Sequence, residues 1–317
     1  MNLNSFSVSD KMGIHDAVPM PDKIIRKTEV IIGTDAYTDT NGVTQFGEVL
    51  FHGHNMVVYG GSLFTLQKIF GLPADDRNNN PLNSGYLDSV YGMSRDPKFE
   101  SDSEFDDTSI CLFGLGTCGA GDSLTDVYKV NYSDNNLGEE IQTGTDEGMD
   151  LTRKTLLPFK RVPSTNNLLK NGDENKYWFK RSGVTIGNDT KDEYYLKTIE
   201  SKEILVYDAA GNKIENEADL KGATDAVDTF VELKLVIDSV DDDGDLKTFF
   251  RDSGHIELSR FNSIGLFTAT RVPIAEDADG TIITDYRNVR LYSKLNIPNE
   301  LLVGSKELTI IYRIFAS

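Results

Sequence analysis

Alternation of apolar and polar residues is the strongest signal in this chain. In Phe230-Val-Glu-Leu-Lys-Leu-Val-Ile, the residues Val231, Leu233, Leu235 and Ile237 share one face, opposite Glu232 and Lys234. A period of two describes an antiparallel strand with one buried face. Comparable runs follow one another beyond Asp150: Lys176-Tyr-Trp-Phe-Lys, Glu193-Tyr-Tyr-Leu-Lys, Glu203-Ile-Leu-Val-Tyr and Leu246-Lys-Thr-Phe-Phe. They continue with Ser263-Ile-Gly-Leu-Phe-Thr-Ala-Thr, Arg290-Leu-Tyr-Ser-Lys-Leu and Glu307-Leu-Thr-Ile-Ile-Tyr-Arg-Ile-Phe. Asp208-Ala-Ala-Gly-Asn, Asp242-Asp-Gly and Asp279-Gly280 place turn chemistry between these runs. Short strands at regular spacing predict a mainly β chain with an antiparallel β-sandwich or barrel-like core. No repeat of fixed period is visible, which argues against a solenoid or propeller.

Upstream the pattern is less regular. Residues 1–28 carry scattered charges, two prolines and no period, and read as an extended N-terminal arm. Glu29-Val-Ile-Ile predicts a strand, Asn41-Gly42 a hairpin turn, and Phe46 to Tyr59 further strand. Leu63, Leu66 and Phe70 stand at helical spacing, with Ser62 as N-cap and Gly71 as stop, and predict one short helix. Residues 73–107 turn to Asn, Asp, Ser and Gly and predict a long loop. The expected organisation is an arm over 1–28, a strand and helix segment over 29–108, and a β-rich domain over 109–317.

Charge is unevenly distributed along the chain. The chain of 317 residues holds 51 acids against 32 bases, for a net charge of −19. That balance argues against general nucleic-acid binding, which needs surplus cations to displace counterions from phosphates. Residues 101–150 hold twelve acids against Lys129, a balance of −11, and residues 151–181 hold eight bases against Asp173 and Glu174, a balance of +6. Adjacent blocks of opposite sign suit a protein that packs against copies of itself. The plainer reading of each is a solvated loop. No apolar run approaches the ~18 residues of a membrane span. Met1-Asn-Leu-Asn-Ser-Phe has neither a basic nor an apolar segment of the kind a secretory signal uses.

Candidate chemistry is sparse. Gly114-Leu-Gly-Thr-Cys-Gly has dinucleotide-binding spacing, but no helix follows to hold a pyrophosphate, so a flexible inter-strand loop is expected. His52-Gly-His54 offers two imidazoles without a third ligand at metal-binding spacing. Asp241-Asp-Asp-Gly-Asp has the look of a calcium loop, but Phe250 stands where the bidentate Glu belongs, and a hairpin turn between two strands is expected. Asp277-Ala-Asp-Gly reads the same way. Cys111 and Cys118 have no neighbouring base to lower a thiol pKa. No catalytic, cofactor or metal residues are therefore assigned.

Toward the C-terminus, Phe261-Asn-Ser-Ile-Gly-Leu-Phe, the run Tyr286-Arg-Asn-Val-Arg-Leu-Tyr-Ser-Lys-Leu-Asn-Ile-Pro-Asn-Glu-Leu-Leu, and Leu308-Thr-Ile-Ile-Tyr-Arg-Ile-Phe carry a resemblance. Together with Ile110-Cys-Leu-Phe-Gly-Leu-Gly, Leu157-Pro-Phe-Lys-Arg-Val and Tyr177-Trp-Phe-Lys-Arg, they resemble structural proteins of tailed bacteriophage virions, chiefly large contractile-tailed phages. The resemblance covers residues 46–317 loosely. It implies a non-enzymatic virion component of the neck, connector or tail, assembled as a ring of copies beside other virion proteins. Two alternatives stay open. The aromatic cluster Tyr177-Trp-Phe with Tyr194-Tyr suits the stacking platform of a carbohydrate- or receptor-binding module, and the abundant acids leave room for a hydrolase.

Overall fold

The computed structural model describes residues 28–70, 107–116, 157–164, 176–208, 213–215, 228–276 and 282–316, apart from a few positions inside them. Of the arm expected over 1–28, residues 1–27 lie outside the described residues and Thr28 opens a strand, and most of the 73–107 loop also lies outside them. The chain is mainly β, with antiparallel sheets, as the alternation predicts. It divides into two compact units. One comprises Met1–Met56, Ile199–Val240 and Ser305–Ser317; the other comprises Val57–Thr198 and Asp241–Gly304.

The first unit is built on a five-stranded sheet. Its strands are β1 (Thr28–Thr34), β4 (Glu48–Gly53), β10 (Ser201–Tyr207), β11 (Asp228–Ile237) and β14 (Leu308–Ala316), in the order β10-β11-β14-β1-β4. Register explains its buried face. Leu233 pairs with Tyr312, which pairs with Val30, and Leu235 pairs with Ile310, which pairs with Ile32. All six are at most 2% exposed. The expected hairpin at Asn41-Gly42 joins β2 (Tyr37–Thr38) to β3 (Thr44–Gln45). Gly42 takes φ 76°, and Asp39 closes the loop by accepting the Val43 amide at 2.9 Å. One refinement concerns β11. Its second face is also covered at one end, where Phe230 stacks on Tyr207 and touches Phe315, and Glu232 is buried there with them.

The second unit carries a seven-stranded sheet. Its strands are β5 (Met56–Val57), β6 (Thr108–Gly116), β7 (Lys160–Pro163), β8 (Tyr177–Ile186), β9 (Asp189–Thr198), β12 (Arg260–Glu276) and β13 (Ile282–Leu302). The order is β5-β13-β12-β6-β9-β7, with β8 also on β9. Because β8 runs along one edge of β9, β6 and β7 divide the other: β7 pairs with 191–194 and β6 with 197–198. The hairpin of β12 and β13 is much longer than the short runs expected there, and four register shifts along it disrupt the alternation. Pro273 is tolerated because it lies past Thr270↔Thr108, the last pairing of β12 with β6.

Five expectations need correction. The described residues hold two helices, α1 (Tyr59–Phe70) and α2 (Lys247–Asp252), not one. Leu246-Lys-Thr-Phe-Phe, expected as a strand, enters α2. Leu246 sits at φ 66°, which interrupts any extended run, and Leu246, Phe249 and Phe250 are buried at helical spacing. The Asp241–Gly244 turn therefore joins β11 to a helix rather than to another strand. Helix α1 starts three residues before Ser62, which removes Ser62 as its cap. Its first turn packs on β13 so closely that a Cβ on Gly61 would lie 2.1 Å from the Tyr292 carbonyl oxygen. Finally, Gly114 to Gly116 is not a flexible loop. These glycines continue β6, buried, with Gly114 opposite Gly265.

Candidate functional site

Strand β9 explains where the charged residues of the second unit go. Lys191, Glu193, Tyr195 and Lys197 occupy alternate positions and so share one face, together with Arg161 of β7 and Tyr177 of β8 through the strand pairings. The 241–252 segment brings the complementary acids to that face. Asp245 is wholly buried, accepts the Lys197 ammonium at 2.6 Å and accepts the Tyr177 hydroxyl at 2.7 Å. The Arg161 guanidinium donates to Glu193 through Nε at 2.9 Å and through Nη2, and the Tyr195 hydroxyl donates to the other Glu193 oxygen. Lys191 reaches Asp252 at 2.7 Å, and Arg161 lies 3.7 Å from the same carboxylate. Arg161 also stacks over Phe249, 4.6 Å from its centroid, while Thr248 Oγ1 accepts the Arg161 amide at 2.8 Å.

This constellation has acids, bases and phenols, but its geometry is that of a clamp. The 3% exposed Arg161 and 4% exposed Glu193 leave no face for a substrate. Buried charges persist when each has a partner of opposite sign, as Arg161 has in Glu193 and Lys197 in Asp245. The network fastens α2 and its preceding turn onto β7, β8 and β9.

A second row of charge crosses the sheet of the first unit. Arg313 of β14 pairs in register with Glu29 of β1 on one side and Glu232 of β11 on the other, donating at 3.1 Å and 2.9 Å. Thr44 donates to Glu232 at 2.9 Å, and His52 lies 2.9 Å from Glu29. Burial acts to raise the Glu29 carboxyl, but the His52 hydrogen bond and the Arg313 charge outweigh it and hold the group below its usual value. On the surface, Lys306 bonds Asp35 at 2.6 Å. That hydrogen bond lowers the Asp35 carboxyl and raises the Lys306 ammonium.

The residues singled out in the sequence take ordinary places. His52 lies in β4, and His54, just past it, meets the Thr28 carbonyl at 2.7 Å. Among the described residues no three His, Cys, Asp or Glu side chains group as a metal site. Cys111 is buried with its thiol 3.8 Å from the Ala269 carbonyl, while Cys118 and the 277–280 turn lie outside the described residues. The Asp241–Asp243 turn is tied to its own surroundings: Lys160 donates to the Asp243 carbonyl and Arg251 to the Asp243 carboxylate at 3.1 Å. Most of the acidic block over 101–150 also lies outside the described residues.

The described members of the aromatic cluster do not present the open faces of a stacking platform, and the Phe179 side chain lies outside the description. Tyr177, Trp178, Tyr194 and Tyr195 are all buried, and Trp178 packs edge-on against Tyr286 at 5.9 Å between centroids. Burial pushes the Tyr286 phenol up to about 12.

What remains exposed and apolar lies elsewhere. Val49 and Leu50 are 54% and 38% exposed on β4, and Ile204 is 74% exposed on β10. Among the described residues these strands are the two edges of the five-stranded sheet. Sequence reasoning placed both strands but not their edge positions, because edge status depends on pairings with β1 and β11 that span the chain. Among the described residues no helix is long and apolar enough to cross a membrane. No family model, curated protein or solved structure compared with the chain matches it.

Proposed function

We propose that this chain is a non-enzymatic structural component of a bacteriophage virion, a neck, connector or tail protein that assembles as a ring of copies. The observation that carries the reading is a division of labour among its side chains. The acids and bases best suited to chemistry, Arg161, Glu193, Lys197 and Asp245, are committed to buried internal pairs, while exposed apolar side chains stand on both edges of one sheet. Unpaired sheet edges that carry apolar side chains invite pairing with another chain. Rigid strand-rich units fastened by internal charge suit a part whose role is to hold position.

The sequence resemblance to virion structural proteins supports the same reading, with other virion proteins as neighbours above and below the ring. A net charge of −19 suits a subunit that lines a passage for DNA, since like charge keeps phosphates from adhering. The test is electron microscopy of the purified protein in negative stain. Discrete rings of uniform diameter are expected. Monodisperse single subunits at every concentration would overturn the reading.

A further inference from the structure

The five-stranded sheet ends on two strands that run the same way. Four successive antiparallel pairings lead from β10 through β11, β14 and β1 to β4, so the two edge strands are parallel to each other. Among the described residues β4 pairs only with β1, and β10 pairs over its length only with β11, although Ile214 bonds the Val206 carbonyl near its end. Both edges expose apolar side chains, Val49 and Leu50 on one and Ile204 on the other. Native edges are ordinarily guarded by charge, proline or brevity against such exposure.

The two edges are also complementary in charge, face by face. Glu48 stands opposite Thr34, and Lys202 stands opposite Leu233, which puts both on the face of Val30 and Tyr312. His52 stands opposite Ile31, and Glu203 opposite Glu232, which puts both on the face of Glu29 and Arg313. Each face of the sheet thus offers a carboxylate at one edge and a basic group at the other.

We infer that β4 of one copy pairs in parallel with β10 of the next, so that the sheet continues from subunit to subunit. The inference rests on the ring reading above and names the contact that builds the ring. Because the sheet has an odd number of antiparallel strands, a β4 edge meets a β10 edge with strand direction kept. The same rotation then relates every pair of neighbours, which is a heterologous contact able to close. Main-chain amides and carbonyls supply the pairing, as in strand addition generally, and the side chains set partner and direction. In one register Glu48 stands beside the neighbour's Lys202 and Leu50 beside the neighbour's Ile204, so that a carboxylate meets an ammonium at one end of the seam. Leu50 and Ile204 lose their exposure where the two edges join.

The test uses Leu50→Cys and Ile204→Cys as separate full-length variants in a Cys118→Ser background, with the buried Cys111 left in place. Light scattering first reports whether each assembles, and mild oxidation then reports which cysteines meet. Linkage between positions 50 and 204 on mixing the two variants, with little linkage in either alone, is expected. The variant carrying both cysteines should give a ladder of covalent oligomers. Assembly without 50–204 linkage, or with 50–50 linkage alone, would overturn the edge contact and leave the ring reading standing. Protein that stays monomeric throughout would overturn both. As a second variant, Ile204→Lys should abolish assembly while Ile69→Lys, at an isoleucine 55% exposed on α1, should not; equal effects would overturn the contact.

Discussion

Asp245 and Lys197 meet 2.6 Å apart, with side chains 0% and 8% exposed, although 47 residues of chain separate them. The pair joins the turn before α2 to the face of β9, and the Tyr177 hydroxyl donates to the same carboxylate. Removing one member leaves the other charged and buried, which costs about 3–5 kcal/mol. Asp245→Ala should therefore lower the urea midpoint strongly. Replacing both, as Asp245→Leu with Lys197→Met, should recover most of the loss. Denaturant titration of the single and double variants measures the difference.

The approach of Gly61 to Tyr292 predicts a steric result. A Cβ would meet the Tyr292 carbonyl oxygen at 2.1 Å, and backbone cannot move aside as a flexible side chain would. Gly61→Ala should destabilise the second unit by about 1–3 kcal/mol despite alanine's better helix propensity. Gly304→Ala, where a Cβ would meet nothing within 4 Å, should be close to neutral. Thermal unfolding of the two variants separates these outcomes.

Glu29 predicts a dependence on acid. Its carboxyl is held below the usual 4.5 by His52 and Arg313, against the opposing effect of burial. A carboxylate whose folded pKa is depressed contributes stability that is present above its unfolded value and is lost as pH falls through the folded one. The wild type should thus lose stability below pH 4.5, and Glu29→Gln should flatten part of that decline. Because Glu29 is only partly buried, the effect is modest and should shrink in high salt. Urea midpoints measured between pH ~3.5 and ~6 for the two proteins give the slope directly.

The sequence carried the strands better than it carried their partners. The period of two in Val231 to Ile237 located β11 and its buried face, and Asn41-Gly42 located the first hairpin. The helical spacing of Leu246, Phe249 and Phe250 was equally visible, but a five-residue apolar run does not distinguish strand from helix until the turn conformation at Leu246 is known. The titratable residues Lys191, Glu193 and Lys197 at alternate positions of β9 were the readable sign of a charged face. Their partners, Arg161, Asp245 and Asp252, come from 32 to 61 residues away in the bonds that join them, and no local pattern selects those pairs. The edge positions of β4 and β10 were hidden for the same reason, since a strand becomes an edge only through what the rest of the chain does.

Sedimentation velocity of the wild-type chain over a range of concentrations reads self-association itself. A ring of copies gives one discrete, fast-sedimenting species whose mass is a whole multiple of 35.2 kDa and whose population grows with concentration. Ile204→Lys should return that population to the single subunit. A lone 35.2 kDa species at every concentration, or an assembly that Ile204→Lys leaves untouched, would contradict a ring built through that edge.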